Sequence, residues 1–283
     1  MAAPEPIDLR HLGNERVIAS YLVETDDGPA LFDCGPATCV DALKAGLAER
    51  GLELRDVRHL LLSHIHLDHA GATGVLVREH PGLQVHVSEV GAPHLLDPFR
   101  LEASARRLYG DSFDRQWGEL APVPEENVHV VGEHVLGLEC FPTLGHASHH
   151  VSFLHGDGTL YAGDAAGVRV QPGHTVLAPT PPPDVDVEAW KRTIAEIERR
   201  EPARLALVHF GVVDDVTHHL AELELNLLDW AESVEGGASE EEFCAYARAE
   251  LEDAGEDVAA WEQAMPFWQS YAGLKRWADK RRG

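Results

Sequence analysis

Three histidines and an aspartate, His64, His66, Asp68 and His69, fall within six positions directly behind the run His59-Leu60-Leu61-Leu62. The leucines read as the end of a buried strand, and in an extended segment side chains two apart point the same way. His64 and His66 can therefore close on one ion. Asp68 and His69 follow once the chain begins to turn, and can face a second ion beside the first. Imidazole and carboxylate suit zinc, iron or manganese at sites that keep an open position. The alternative is a polar surface loop in a histidine-rich chain, but four ligand-type residues at this spacing behind a strand favour metal.

Around this motif the chain alternates strands and helices. Val17 to Glu24 and Ala30 to Phe32 read as a hairpin ending at Asp33, a carboxylate placed to orient a ligand histidine from behind. Val40, Leu43 and Leu47 recur at helical spacing over residues 37–50, and Val57 to Leu62 is a leucine-rich strand leading into the motif. A short helix with Val75 and Leu76 and a strand from Gln84 to Val87 complete a strand-helix-strand order, which implies parallel pairing with helices outside the sheet. Residues 91–127 break the rhythm with prolines and aromatics, as an insertion or lid folded over a cleft would.

Strands resume at Val128 to Val131 and Val135 to Phe141, followed by Gly145-His146-Ala147-Ser148-His149-His150. His149 or His150 can support His146 through a hydrogen bond or relay a proton. A hairpin of Val151 to Leu154 and Thr159 to Ala162 ends at Gly163-Asp164. Pro179 to Asp184 forms a rigid loop, and Asp184 or Asp186 caps a helix lined by Trp190, Ile194 and Ile197. Leu205 to Val208 is a further buried strand, with His209 behind it. From Asp214 the pattern is helical and polar: one helix through Leu220, Leu223, Leu227 and Trp230, then two more after Gly236-Gly237. His174, His218 and His219 read as ordinary polar positions.

Collected in order, the polar residues at expected strand ends are His64, His66, Asp68, His69, His146, Asp164 and His209. This order and context resemble the metallo-β-lactamase superfamily of hydrolases. There, His-x-His-x-Asp-His is followed by a Gly-His loop, a Gly-Asp step and a histidine at a strand end. The resemblance extends over roughly residues 10–211 and leaves the helical tail outside it. It implies an α/β fold, an αββα sandwich of two mixed sheets back to back with helices outside and metals at one edge, plus a C-terminal helical extension. The expected organisation is a catalytic domain over 1–213, with 91–127 as insertion, and the extension over 214–283.

By the same resemblance, two divalent metal ions are the cofactor, zinc in the first place and iron or manganese otherwise. His64, His66 and His146 would hold one, Asp68, His69 and His209 the other, and Asp164 would bridge them. A hydroxide shared by the ions would attack a carbonyl or phosphorus, with Asp68 or a metal-bound water returning a proton to the leaving group. Substrate class stays open, because the chain departs from several subfamily patterns. It has histidine and aspartate where some β-lactamases place a cysteine ligand. Gly167 stands where many quorum-signal lactonases have tyrosine, and Ala165 to Arg169 poorly matches the corresponding stretch of glyoxalase II and persulfide dioxygenases.

Composition narrows the partners. The formal net charge is -25, which repels a phosphate backbone and disfavours both nucleic acid and the basic substrate arm of transfer-RNA nucleases. No apolar run is long enough for a bilayer span, and the acidic, proline-bearing start lacks the blocks of a secretory signal, so a cytoplasmic protein is expected. Four cysteines without a Cys-x-x-Cys pair suggest buried thiols. The expected activity is hydrolysis of a small acyl molecule: ester, lactone or thioester. The alternatives are a phosphodiesterase, a mononuclear iron oxygenase of the persulfide dioxygenase kind, and a non-catalytic binding protein. The tail would pack on its own chain, complete a pocket wall, or pair two subunits as a homodimer.

Overall fold

A computed structural model describes residues 3–282; Met1, Ala2 and Gly283, included in the expected bounds 1–213 and 214–283, lie outside the described residues. Strands β1 (Pro6–Asp8), β2 (Ala19–Thr25), β3 (Gly28–Phe32), β4 (His59–Leu61), β5 (Gln84–Val87) and β6 (Val128–Val130) form one sheet in that order. The first three pair antiparallel, and β3 to β6 run parallel. The second sheet holds β7 (His134–Val135), β8 (Leu138–Pro142), β9 (Val151–Leu154), β10 (Thr159–Gly163), β11 (Arg204–Leu207) and β12 (Gly211–Val213), also neighbours in sequence order. Only β10 and β11 pair parallel there.

The sheets lie face to face through aromatics that sequence alternation turns inward. Phe32 of the first sheet meets Phe153 and Tyr161 of the second, ring centres 6.0 and 5.4 Å apart, and the Tyr21 hydroxyl donates to the Leu207 carbonyl across the gap at 2.6 Å. Helices α1 (Val40–Glu49), α2 (Leu67–Ala70) and α3 (Thr73–Glu79) follow the strands of the first sheet, and α1 buries Val40, Leu43 and Leu47 as their spacing requires. The chain thus forms two sheets flanked by helices, as the resemblance implies.

Residues 91–127 are largely helical: α4 (Ala92–Leu96), α5 (Phe99–Tyr109) and α6 (Phe113–Gln116). They pack around a small apolar cluster of Leu67, Ala105, Phe113 and Trp117, which ties them to the helix that follows the histidine motif. Helix α7 (Val187–Arg199) buries Trp190, Ile194 and Ile197, and Asp186 is the cap, accepting from the Ala189 amide at 2.9 Å. Asp184 instead accepts from the Ser148 hydroxyl at 2.6 Å.

Two expectations need correction. Val135 to Phe141 is not one strand: Leu136 and Gly137 carry φ of 52° and 86°, the left-handed pair of a two-residue hairpin turn, and split the run into β7 and β8. An apolar Val-Leu-Gly-Leu string conceals that turn. The tail, expected to hold two helices after α8 (Val216–Glu235), holds three: α9 (Glu240–Asp253), α10 (Val258–Ala264) and α11 (Phe267–Arg282). Ser239 and Glu242 make a reciprocal cap for α9, and Pro266 separates the last two helices. These helices share one apolar core with the second sheet, where Trp230, Phe243, Trp261 and Phe267 are buried together with Leu205 and Leu207. Among the described residues no helix is long and apolar enough to cross a membrane. All four cysteines are buried and unpaired.

Candidate metal centre

The C-terminal ends of the parallel strands converge on one edge of the sandwich. Behind β4 the chain stays extended to His66 (φ -63°, ψ 155°) before α2 begins, so His64 and His66 face one side while Asp68 and His69 come round on the first helical turn. Asp164 follows β10, and His209 lies beyond β11. His146 sits in the loop after β8. Its predecessor Gly145 has φ +134°, and a Cβ there would stand 2.3 Å from the Trp190 Cβ, so only glycine lets this loop press against α7.

All seven expected residues come together. His64 Nε2 and His146 Nε2 each lie 2.9 Å from His66 Nδ1. On the other side His209 Nε2 lies 3.3 Å from Asp68 Oδ2, and His69 Nε2 3.8 Å from the same oxygen. Asp164 stands between the groups, Oδ2 3.4 Å from His146 Nε2 and Oδ1 3.3 Å from His69 Nε2. Within His64, His66 and His146, and again within Asp68, His69 and His209, the ligand atoms lie inside 4.8 Å of one another. Tetrahedral zinc with bonds of about 2.0–2.1 Å spaces its ligand atoms roughly 3.3 Å apart, so both groups fit a small divalent cation.

Hydrogen bonds on the far ring edges settle which nitrogens carry lone pairs into the cage. His146 Nδ1 donates to the Pro179 carbonyl at 2.8 Å, His209 Nδ1 to the Val17 carbonyl at 2.6 Å, and His69 Nδ1 to Asp33 Oδ2 at 2.7 Å. Their Nε2 lone pairs therefore point at carboxylate oxygens, an arrangement that repels unless a proton or a cation lies between. His69 Nε2 and Asp164 Oδ1 are buried with no hydrogen-bond partner. Two such orphaned atoms cost about 1–3 kcal/mol each, and a cation relieves both.

The electrostatics divide the same way. Burial and the neighbouring imidazoles hold His64 well below its ordinary value, and burial with His146 brings His66 to about 3, so these rings stay neutral ligands. Burial also depresses His69 and His209, but there the carboxylates outweigh it: Asp164, Asp68 and Asp33 raise His69, and Asp164 with Asp68 raises His209. Asp164 is itself pushed up by burial, and His69, His146 and His209 reverse this to hold it well below the carboxylate range.

Asp33 is fully buried behind the cage, with Ser63 donating to it from backbone and hydroxyl at 2.8 and 2.7 Å. Burial pushes the Asp33 carboxyl up, and the His69 and Ser63 contacts pull it part-way back. His150 accepts from the Asp164 amide at 3.1 Å and contacts the Thr143 hydroxyl at 2.8 Å, which holds the turn carrying Asp164. His149 accepts from the Ile65 amide at 3.4 Å and stacks on His64. His219 corrects its reading as an ordinary polar position: it is buried, and its Nε2 donates to the Ala166 carbonyl at 2.7 Å, tying α8 to the turn beyond Asp164. His174 contacts Arg169, and His218 is exposed. His11 escaped the sequence reading; it is buried near the cage and stacks on Trp117 at 5.4 Å.

The family model of the metallo-beta-lactamase superfamily matches residues 13–209. The chain belongs to this superfamily. Among curated proteins it is 29% identical over 160 residues to YobT, an uncharacterized protein of Bacillus subtilis (strain 168); the match takes in 53% of this chain and spans 62% of that relative's length. Among solved structures it resembles TTHA1429, a metallo-beta-lactamase family protein from Thermus thermophilus, with a TM-score of 0.67 at 20% identity over 99% of this chain and 93% of that one. ST1585 from Sulfolobus tokodaii, an archaeal protein of the superfamily, gives 0.64 at 22% identity over 78% and 84%. The fold likeness to TTHA1429 thus takes in the helical tail, which the sequence resemblance left outside.

In this metallo-β-lactamase superfamily member a cavity of about 580 Å³ opens over the cage, floored by His66, Asp68, His146, Asp164 and His209. Its walls come from four places: the loop around His11, α5 and α6, the prolines from Pro179 to Pro183, and the tail from Glu262 to Ser270. The segment expected as insertion therefore walls the site, and the tail completes the wall.

Proposed function

We propose that this protein is a binuclear metal-dependent hydrolase of a small acyl substrate: an ester, lactone or thioester. His64, His66 and His146 would hold one ion and Asp68, His69 and His209 the other, with the Asp164 carboxylate available to both groups. The observation that carries this reading is the split of the Asp164 carboxylate, one oxygen toward His146 at 3.4 Å and the other toward His69 at 3.3 Å. Divalent ions bound there, zinc foremost, supply Lewis acidity and make water acidic enough to act as the nucleophile near neutral pH.

The chain does the rest. Pro179, Val17 and Asp33 fix the ring orientations of His146, His209 and His69, so these three rings are oriented before substrate arrives. Asp68, whose side chain is more exposed than that of Asp164 and lines the cavity, takes a proton from the attacking water at its free oxygen and delivers it to the leaving group. Leu101, Ala105, Leu108 and Met265 give the cavity apolar walls, which suits an acyl chain better than a sugar or a nucleotide.

Metal analysis of the purified protein, combined with turnover of aryl esters and thioesters against bis-aryl phosphates, tests the reading. Two equivalents of zinc and ester turnover are expected. Asp164→Ala is expected to lose metal and to cut turnover by about 10⁴-fold, near the background left when a whole catalytic unit goes. Preference for the phosphodiester, a single iron with oxygen uptake, or undiminished ester turnover in Asp164→Ala would each replace it.

A further inference from the structure

The cavity wall carries a charge pattern that the metal chemistry does not use. Leu101, Ser104, Ala105 and Leu108 fall at i, i+3, i+4 and i+7 on α5, and all line the cavity. Leu101 and Ala105 also touch the small cluster with Phe113 and Trp117, while Leu108 at the end of the stripe is 40% exposed. Beside it, Arg107 on α5 and Arg115 on α6 also line the cavity.

Neither arginine has a hydrogen-bond or ion-pair partner among the described residues, whereas the adjacent Arg106 is held by Glu102 and Asp114 at 2.8 Å each. The carboxylates of the cavity lining are already engaged. Asp68 and Asp164 face the histidines, and Glu262 is bound by Arg248 at 2.8 Å. In a chain of net charge -25, these are two guanidiniums with no carboxylate partner among the described residues, beside an apolar stripe. Planar guanidinium is matched by carboxylate or phosphate-type oxygens, which it binds through paired N–H donors.

We propose that the substrate is amphiphilic, with an anionic group at the end remote from the scissile bond, and that Arg107 and Arg115 hold that group while the apolar spacer lies along Leu101, Ala105 and Leu108. This rests on the acyl-hydrolase reading for the reacting end. It adds a selection by charge, made on the insertion and separate from the cage.

The test uses the metal-loaded full-length protein and 4-nitrophenyl esters of one medium-chain acid whose far end is a carboxylate, a phosphonate or a neutral methyl ester. The readout is the ratio of kcat/KM for charged over neutral ester within each variant. The expected ratio in the native protein favours the charged esters by about tenfold per arginine, carried by KM and shrinking with added salt. It should collapse toward parity in the Arg107→Ala, Arg115→Ala double variant and return in part with lysine at both positions. Whichever of carboxylate and phosphonate is preferred names the headgroup. Parity in the native protein, or a preference that survives the double variant, overturns the proposal. If no ester is turned over, the hydrolase reading fails instead. The anion site is then judged by the same ratio of dissociation constants for the corresponding anilides, followed by the fluorescence of cavity-lining Trp117.

Discussion

The cage and the wall of the cavity are built on opposite plans. Every imidazole of His64, His69, His146 and His209 is buried, in a loop behind a strand or, for His69, on the short helix α2, and three of the four are held from behind by a backbone carbonyl or by Asp33. The wall is made by helices: α5 and α6 rest on an apolar cluster of four buried residues, and the tail turns Pro266 and Gln269 to the cavity. Hydrogen bonds and burial hold the first, while cavity-facing side chains of the second can be exchanged without touching a strand. Chemistry and selectivity should therefore respond to different substitutions.

Asp33→Asn is expected to give the largest separation. Both Asp33 oxygens accept, from the Ser63 amide, the Ser63 hydroxyl and His69 Nδ1. An asparagine keeps one acceptor and turns an NH₂ toward a donor, so either Ser63 or His69 loses its partner inside a fully buried pocket. Metal affinity on the His69 side should fall about 10–100-fold, read by competition with a chelator, while KM for a fully loaded sample stays within about twofold. An equal loss in KM would erase the division between cage and wall.

That division also marks what could be read from the sequence. Ligand-type residues behind apolar runs are rare enough to be noticed, which is why His64, His66, Asp68, His69, His146, Asp164 and His209, and Asp33 behind them, stand out before any coordinates. The acceptors that orient them do not, because Val17 and Pro179 act through backbone carbonyls that every residue possesses, and only tertiary proximity selects those two. Leu136 sits in a left-handed turn for which its side chain is poorly suited, so its apolar neighbourhood reads as a continuous strand. His11 and Trp117 lie on separate segments, and nothing periodic announces that their rings stack. Trp230, Phe243, Trp261 and Phe267 of the tail are core, and the part of it that touches the cavity mixes Met265 with Pro266 and Gln269, which no apolar period announces.

Trp117→Ala sharpens the comparison from the other side, at intermediate size. The indole is 7% exposed, stacks on His11 and meets Tyr109 edge-on at 5.0 Å, so its removal opens the joint between the N-terminal loop and the insertion. The expected cost is about 3 kcal/mol of stability, the low end for a buried aromatic, because the cluster is small and one face borders the cavity. KM should rise about tenfold for lack of the wall, and metal stoichiometry should not change. A variant that loses metal as well would mean that the wall helps to hold the cage.

The smallest effect is expected at a hydrogen bond that joins the two wall segments. Tyr109 on α5 and Gln269 on α11 approach through the phenol oxygen, 3.5 Å from Oε1 and 3.3 Å from Nε2, at the long end of hydrogen-bond geometry. Burial pushes the Tyr109 phenol up, so it remains a neutral donor and acceptor throughout the working range. A neutral bond this long is worth about 0.5 kcal/mol or less, and Gln269 can turn to water once the hydroxyl is gone. Tyr109→Phe should therefore shift thermal stability by no more than about 2 °C and leave KM and kcat within about twofold. A tenfold fall in kcat with KM unchanged would contradict this. It would make the pair a clasp between insertion and tail whose closure limits turnover, and the wall would then take part in the chemistry instead of only choosing what reaches it.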